Sequence, residues 1–143
     1  MIADIKNKIK GHLQALVDAG TLGSWQAVKF PEEFQNFDIG KYPCAILLPS
    51  TQTGVYKTNR QIQCTYTFDL MVVEKGENVA DDTTIETLCE SVRHEFDNDA
   101  TLGGAADAGL PPTSSETARI GSGDQTYVLF FITLQPQTLV DVN

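Results

Sequence analysis

At 143 residues, 41% of them hydrophobic and 20% charged, the chain has the size and composition of one folded domain, able to hide roughly 68–70% of its unfolded surface and far from the charge-rich corner where chains stay disordered. Its net charge of −9 is lopsided: residues 1–75 hold eight Lys/Arg against seven Asp/Glu, residues 76–143 two against twelve. Sequence-specific DNA and RNA readers neutralise phosphates with Lys and Arg, so this balance argues against nucleic acid as a dedicated partner.

Ile2, Ile5, Ile9, Leu13, Leu16 and Val17 recur at steps of three and four and predict an amphipathic helix to about Ala19, stopped by Gly20 and Gly23. Ser24 to Phe30 reads as a short strand closed by Pro31, followed by a polar loop, PEEFQNFDIGKY, whose Phe34 and Phe37 are candidates to pack back. Cys44 to Leu48, bracketed by Pro43 and Pro49, is a continuous apolar run, as expected of a strand near the sheet centre covered on both faces. Residues 50–59 are polar and read as a flexible loop, or else as the first limb of a protruding hairpin. Its second limb would be RQIQCTYTFDLMVVE at 60–74, where Ile62, Cys64, Tyr66, Phe68, Leu70 and Val72 alternate with Gln61, Gln63, Thr65, Thr67 and Asp69.

Thr83 and Glu86 form a capping box behind Asp81 and Asp82. The helix that follows carries an apolar stripe of Ile85, Leu88, Cys89, Val92 and Phe96, with Glu90 and Arg93 spaced as an i,i+3 pair. Residues 100–112 are small, Gly-rich and proline-terminated, and are expected as a second flexible loop. Thr113 to Ile120 and Gln125 to Gln135 then predict two strands joined by Gly121-Ser122-Gly123-Asp124. The elements make a single α+β domain over 1–143, with a mixed or largely antiparallel sheet of about five strands and two helices packed on it.

Chemistry is sparse. Cys44, Cys64 and Cys89 are spaced as neither a disulfide framework nor a metal site and are expected as reduced, buried thiols. Asp97-Asn98-Asp99 opens like a calcium loop, but its glycine comes one position late and the place of the bidentate Glu is Ala108. Cys89 and His94 do not share a helix face, and His12 reads as a packing or surface histidine. No catalytic, metal or cofactor residue is assigned. The opening MIADIKNKIKGHL lacks the apolar core of a signal peptide, and no run reaches the roughly 18 apolar residues of a membrane span, so folding in a cytoplasm is expected. The uncharged Gln/Thr face of the long strand lacks lysine gatekeepers. Either it is a solvated face or, with the preceding segment, it is a subunit contact surface of Thr51, Thr53, Tyr56, Lys57, Gln61, Gln63, Thr65 and Thr67.

The N-terminal amphipathic helix, the proline-flanked strand YPCAILLP, the long alternating strand and the helix ending in DNDATLGGAA together resemble the tail-terminator, or tail-completion, minor tail proteins of long-tailed bacteriophages. The resemblance covers essentially the whole chain, with DATLGG at Asp99 to Gly104 and the order of elements carrying most of it. It implies a non-enzymatic virion protein that needs no cofactor. Its partners would be its own copies in a ring, typically a hexamer, the tail-tube protein below and the head–tail connector proteins above, at the head-proximal end of the tail. Competing readings are another neck component, such as a head-completion or stopper protein, and a small cytosolic enzyme whose apolar pocket leaves little trace in sequence.

Overall fold

The computed structural model describes residues 2–27, 41–79, 81–97, 99, 101–122 and 125–141. Among these, two helices and seven strands follow in the order α1 (Ile2–Asp18), β1 (Ser24–Ala27), β2 (Cys44–Leu47), β3 (Thr51–Thr58), β4 (Gln61–Lys75), α2 (Asp82–Asp97), β5 (Ala108–Ser114), β6 (Ala118–Ser122) and β7 (Gln125–Asp141). The fold is α+β, with both helices packed on one mixed sheet. Residues 28–30 of the first expected strand, and Phe34 and Phe37 of the loop after it, lie outside the described residues. No helix among the described residues is long and apolar enough to cross a membrane.

Both helices end where local chemistry stops them. Past Asp18, Gly20 takes the left-handed φ of +81°, open to a residue without a Cβ, while the Leu16 and Val17 carbonyls accept the N–H groups of Thr21 and Gly20. Gly23 allows a close approach, because a Cβ there would stand 2.7 Å from the Tyr42 carbonyl oxygen. At the start of α2 the cap is Asp81 rather than the expected Thr83: its Oδ1 accepts the Thr84 N–H at 3.0 Å, two positions ahead of the predicted box.

The sheet runs β1-β2-β4-β7-β5, with β1 and β2 parallel and the other pairs antiparallel. β4 and β7 pair in one register from Gln61–Asp141 to Lys75–Tyr127. Since β7 occupies one side of β4, strands β2 and β3 share the other, opposite Leu70–Val73 and Gln61–Thr67 respectively. Strands β5 and β6 likewise share the far side of β7.

Two expected loops therefore hold strands. Within residues 50–59, Thr51–Thr58 form β3, the first limb of a hairpin, because Thr51 and Thr53 pair across from Thr67 and Thr65; a strand polar on both faces shows no alternation to read. The second half of 100–112 belongs to β5, whose register shifts between Leu110 and Thr113, at Pro111 and Pro112, where no N–H is available to the ladder. The predicted strand Thr113 to Ile120 is divided at Ser115, which bonds the backbone of Phe131 through both its N–H and its hydroxyl. β7 runs on through Pro136 to Asp141 instead of ending at Gln135.

On one face, Phe68, Leu70 and Val72 of β4 and Phe130, Ile132 and Leu134 of β7 are sealed by Ile5, Ile9, Leu13 and Leu16 of α1 and by Ile85, Val92 and Phe96 of α2. A smaller cluster of Cys44, Ile46, Met71, Val73, Tyr127 and Leu129 lies on the opposite face, so β2 is buried on both sides, as expected for an interior strand. Each such side chain contributes about 1.5–3 kcal/mol by leaving water. The three cysteines are free thiols; Cys44 and Cys64 are buried but Cys89 is only half-buried, and burial raises the Cys44 pKa.

His12 joins the helices. Its Nδ1 lies 3.0 Å from Glu95 Oε1 and its Nε2 2.8 Å from Asp99 Oδ2, with the ring against Phe96 at 5.1 Å. Asp99 Oδ1 also accepts the Gly103 N–H at 2.8 Å. Asp99 thus ties down a helix end, and the turn it holds places Leu102 and Ala106 in the core.

Phe68→Ala should lower the unfolding free energy by about 3–5 kcal/mol in urea titrations; a loss below about 1 kcal/mol would show that the helices do not seal this face. The Gly103 N–H, and then His12, hold the Asp99 carboxyl below the usual carboxylate range. A depressed folded-state pKa stabilises above the ordinary range, and that contribution is lost as pH falls through the lowered value. Below about pH 4, wild type should therefore lose stability more steeply than Asp99→Asn, and equal slopes in urea titrations across that range would contradict the tie.

Candidate interaction surface

Strand and helix differ in reach. The 17 residues of α1 span roughly 25 Å, whereas the 15 of β4 and 17 of β7 each extend for roughly 50 Å or more. What the helices leave open is an arm: β3, exposed throughout, together with the Gln/Thr face of the first half of β4 and the last third of β7, whose other face stays buried at Cys64, Tyr66 and Thr138. All eight residues of β3 are exposed, with Val55 at 61% and Tyr56 at 74%.

The arm face turned away from the helices carries a ladder of amides and hydroxyls. Gln63 Nε2 donates to Gln137 Oε1 at 2.9 Å, and Gln137 Nε2 to Thr65 Oγ1 at 3.3 Å. Gln135 Nε2 donates to Thr67 Oγ1 at 3.5 Å. Charge appears only at its ends: Thr133 Oγ1 donates to Asp69 at 2.7 Å and Gln61 Nε2 to Asp141 at 3.3 Å. Thr51, Thr53 and Val55 continue the same rows across β3, opposite Thr67, Thr65 and Gln63.

Six of the eight residues singled out in the sequence thus share one face: Thr51, Thr53, Gln61, Gln63, Thr65 and Thr67. Tyr56, opposite Ile62, points to the helix side, because the alternation of a strand separates it from the threonines. Lys57 sits at the β3 irregularity between Tyr56 and Thr58 and lines, with Gln61, Gln63, Gln137 and Asp107, an open depression of about 270 Å³. Sequence reasoning missed Gln137 by ending the last strand at Gln135, and did not count Gln135 among the contact residues. Their alternation with Leu134 and Thr138 was the available signal.

The free edge of β3 matters as much as its faces. Among the described residues β3 pairs with β4 alone, so its other edge presents unpaired backbone donors and acceptors, without a proline and with no charge before Lys57. Natural edge strands are usually blunted by such residues, and one that is not can accept another strand. The β5 edge, by contrast, carries Pro111 and Pro112. Elsewhere, no group of three or more His, Cys, Asp or Glu side chains among the described residues could hold a metal ion; both nitrogens of His12 face separate carboxylates.

No protein-family model matches the chain, and no curated protein matches it either.

If the ladder is a real cross-strand network, a double-mutant cycle on Gln63→Ala and Gln137→Ala should return a coupling of about 0.2–1 kcal/mol. Strict additivity of the two losses would mean that the amides are independently solvated.

Proposed function

We propose that this chain is a structural virion subunit, a tail terminator of a long-tailed bacteriophage, which closes into a ring on the head-proximal end of the tail tube. There it stops tube growth and presents a docking surface to the head–tail connector proteins. The observation that supports this most is the arm: an exposed strand with an open edge and an uncharged hydrogen-bonding face, standing beyond the core. The element order and the DATLGG helix end, on which the resemblance rests, support it as well.

The mechanism is geometric. An extended segment of the tube protein adds to the β3 edge through backbone hydrogen bonds, while the Gln/Thr rows supply side-chain contacts that fix register. Uncharged amides and hydroxyls lose less on desolvation than paired charges do. No bond is made or broken. The acidic balance of the chain suits a passage through which DNA slides without adhering.

Val55→Glu combined with Tyr56→Ser tests this, because both side chains are largely exposed and the pair should alter stability by no more than about 0.5 kcal/mol per site. Co-assembled with purified tail-tube protein, wild type should give capped tubes of uniform length in electron micrographs, and the variant uncapped tubes of scattered length. Equal capping by the variant, or no capping by wild type, would contradict the proposal.

A further inference from the structure

We infer that the ring contact between neighbouring copies is a head-to-tail match between two opposite flanks of the molecule, a basic groove beside α1 and the acidic outer side of α2. This rests on the ring reading proposed above and names the surfaces that would build it. It involves neither β3 nor the Gln/Thr face.

The flanks follow from helical phase. On α1, His12 and Lys8 turn toward α2: His12 reaches Glu95 and Asp99, and Lys8 lies over Gly103. Lys6 and Lys10 fall on the other side of the helix and line an open groove of about 460 Å³ with Ala27, Leu48 and Pro49 at the β1–β2 end of the sheet. On α2, Glu95 faces α1 and Arg93 faces the opposite way, donating to Ser114 Oγ on β5 at 3.3 Å. Glu86 and Glu90 stand seven and three residues before Arg93, on that same outer side. The i,i+3 pair expected between Glu90 and Arg93 is not made, since Arg93 is directed to β5. Lys6, Lys10, Glu86 and Glu90 have no ion-pair partner among the described residues. The other charges on that side of the helix, Arg93 and Asp97, four residues apart, are one of each sign, so Glu86 and Glu90 carry its net charge.

The groove and the Arg93 turn of α2, one turn from Glu90, also lie level. One row of paired residues crosses the sheet from Leu47 through Leu70 and Ile132 to Ser114. The Lys6–Lys10 groove stands at its first end, where it includes Leu47, and the Arg93 turn of α2 at its last. Rotation about an axis along the strands therefore carries one patch toward the other on the next copy, and such a heterologous contact propagates into a ring or a filament. A second copy fits the groove better than nucleic acid does: two lysines on a body of net charge −9 repel a polyanion overall, whereas Glu86 and Glu90 bring a local charge of the right sign and number. Alternating sign around a closed contact is also how copies with the same net charge associate.

Sedimentation velocity on four samples decides it: wild type, Lys6→Glu with Lys10→Glu, Glu86→Lys with Glu90→Lys, and an equimolar mixture of the two double variants, all at low salt. Wild type should associate and dissociate as salt is raised. Each double variant alone has like charges at the contact and should self-associate roughly tenfold or more weakly. The mixture should recover association, because every contact in an alternating assembly again joins opposite signs, and this recovery also shows that both variants are folded. Wild-type oligomers unaffected by either variant would overturn the contact while leaving the ring reading intact. Loss in both variants without recovery in the mixture would overturn the pairing of these two flanks. A wild type that is monomeric both alone and with tail-tube protein would remove the ring reading along with the contact.

Discussion

The pairing of β4 with β7 is the constraint on which the rest depends. It runs in one register from Gln61–Asp141 to Lys75–Tyr127, and its two faces have opposite tasks. The face with Phe68, Leu70, Phe130 and Ile132 is closed by both helices. The other is apolar at the Met71 and Val73 end and, apart from the exposed Leu139, becomes a run of Gln and Thr toward Gln61. Slipping the register by one residue would bring Thr67 and Asp69 under the helices and put Phe68 in water, so burial of one face fixes the composition of the other. Because β2 covers only Leu70–Val73 of β4, the rest of that edge, from Gln61 to Thr67, takes up β3 and makes the arm. The arm is thus a consequence of the way the core is built.

Much of this was legible in the sequence wherever a single period dominates. The helix stripe of Ile5, Ile9, Leu13 and Leu16, the Cys44–Leu47 strand and the alternation from Ile62 to Val72 each state their environment directly. β3 was harder to read, because a strand exposed on both faces needs no alternation, and only its partner across the Asn59-Arg60 turn makes it a strand. β5 was obscured by Pro111 and Pro112, which an edge strand tolerates at a register shift and an isolated sequence reading takes as a break. Pro136 misled in the same manner: the β4–β7 pairs resume at Thr65–Gln137 in unchanged register. That single proline hid Gln137 and its two bonds of the ladder. His12 carries no local signal at all, since its partners Glu95 and Asp99 lie more than eighty residues away.

The distribution of chemistry over the molecule has a consistent sense. Titratable groups with fixed partners, such as His12, Glu95 and Asp99, lock helices and turns together and face inward between elements. The groups left over are arranged by flank: lysines beside β1, glutamates beside β5, and between them an arm whose strand β3 carries a single charge, Lys57. A body with three differing surfaces can meet two copies of itself and a third protein at once, which is what the proposed ring on a polymer end would demand. Local sign alternation and an open strand edge act through different physics. The first steers encounter and is weakened by salt; the second is directional and relies on backbone hydrogen bonds that salt barely touches.

Amide hydrogen exchange, followed by mass spectrometry on the free protein and on the protein mixed with tail-tube polymers, tests the central claim most directly. In the free protein, amides of 51–58 should exchange far faster than those of the central β4–β7 core at 68–73 and 129–134. With tubes present, protection should rise in 51–58 and in its neighbours on β4. If exchange in 51–58 is slow from the outset, or is unchanged by tubes that the protein demonstrably caps, the arm is not the contact surface and the account fails.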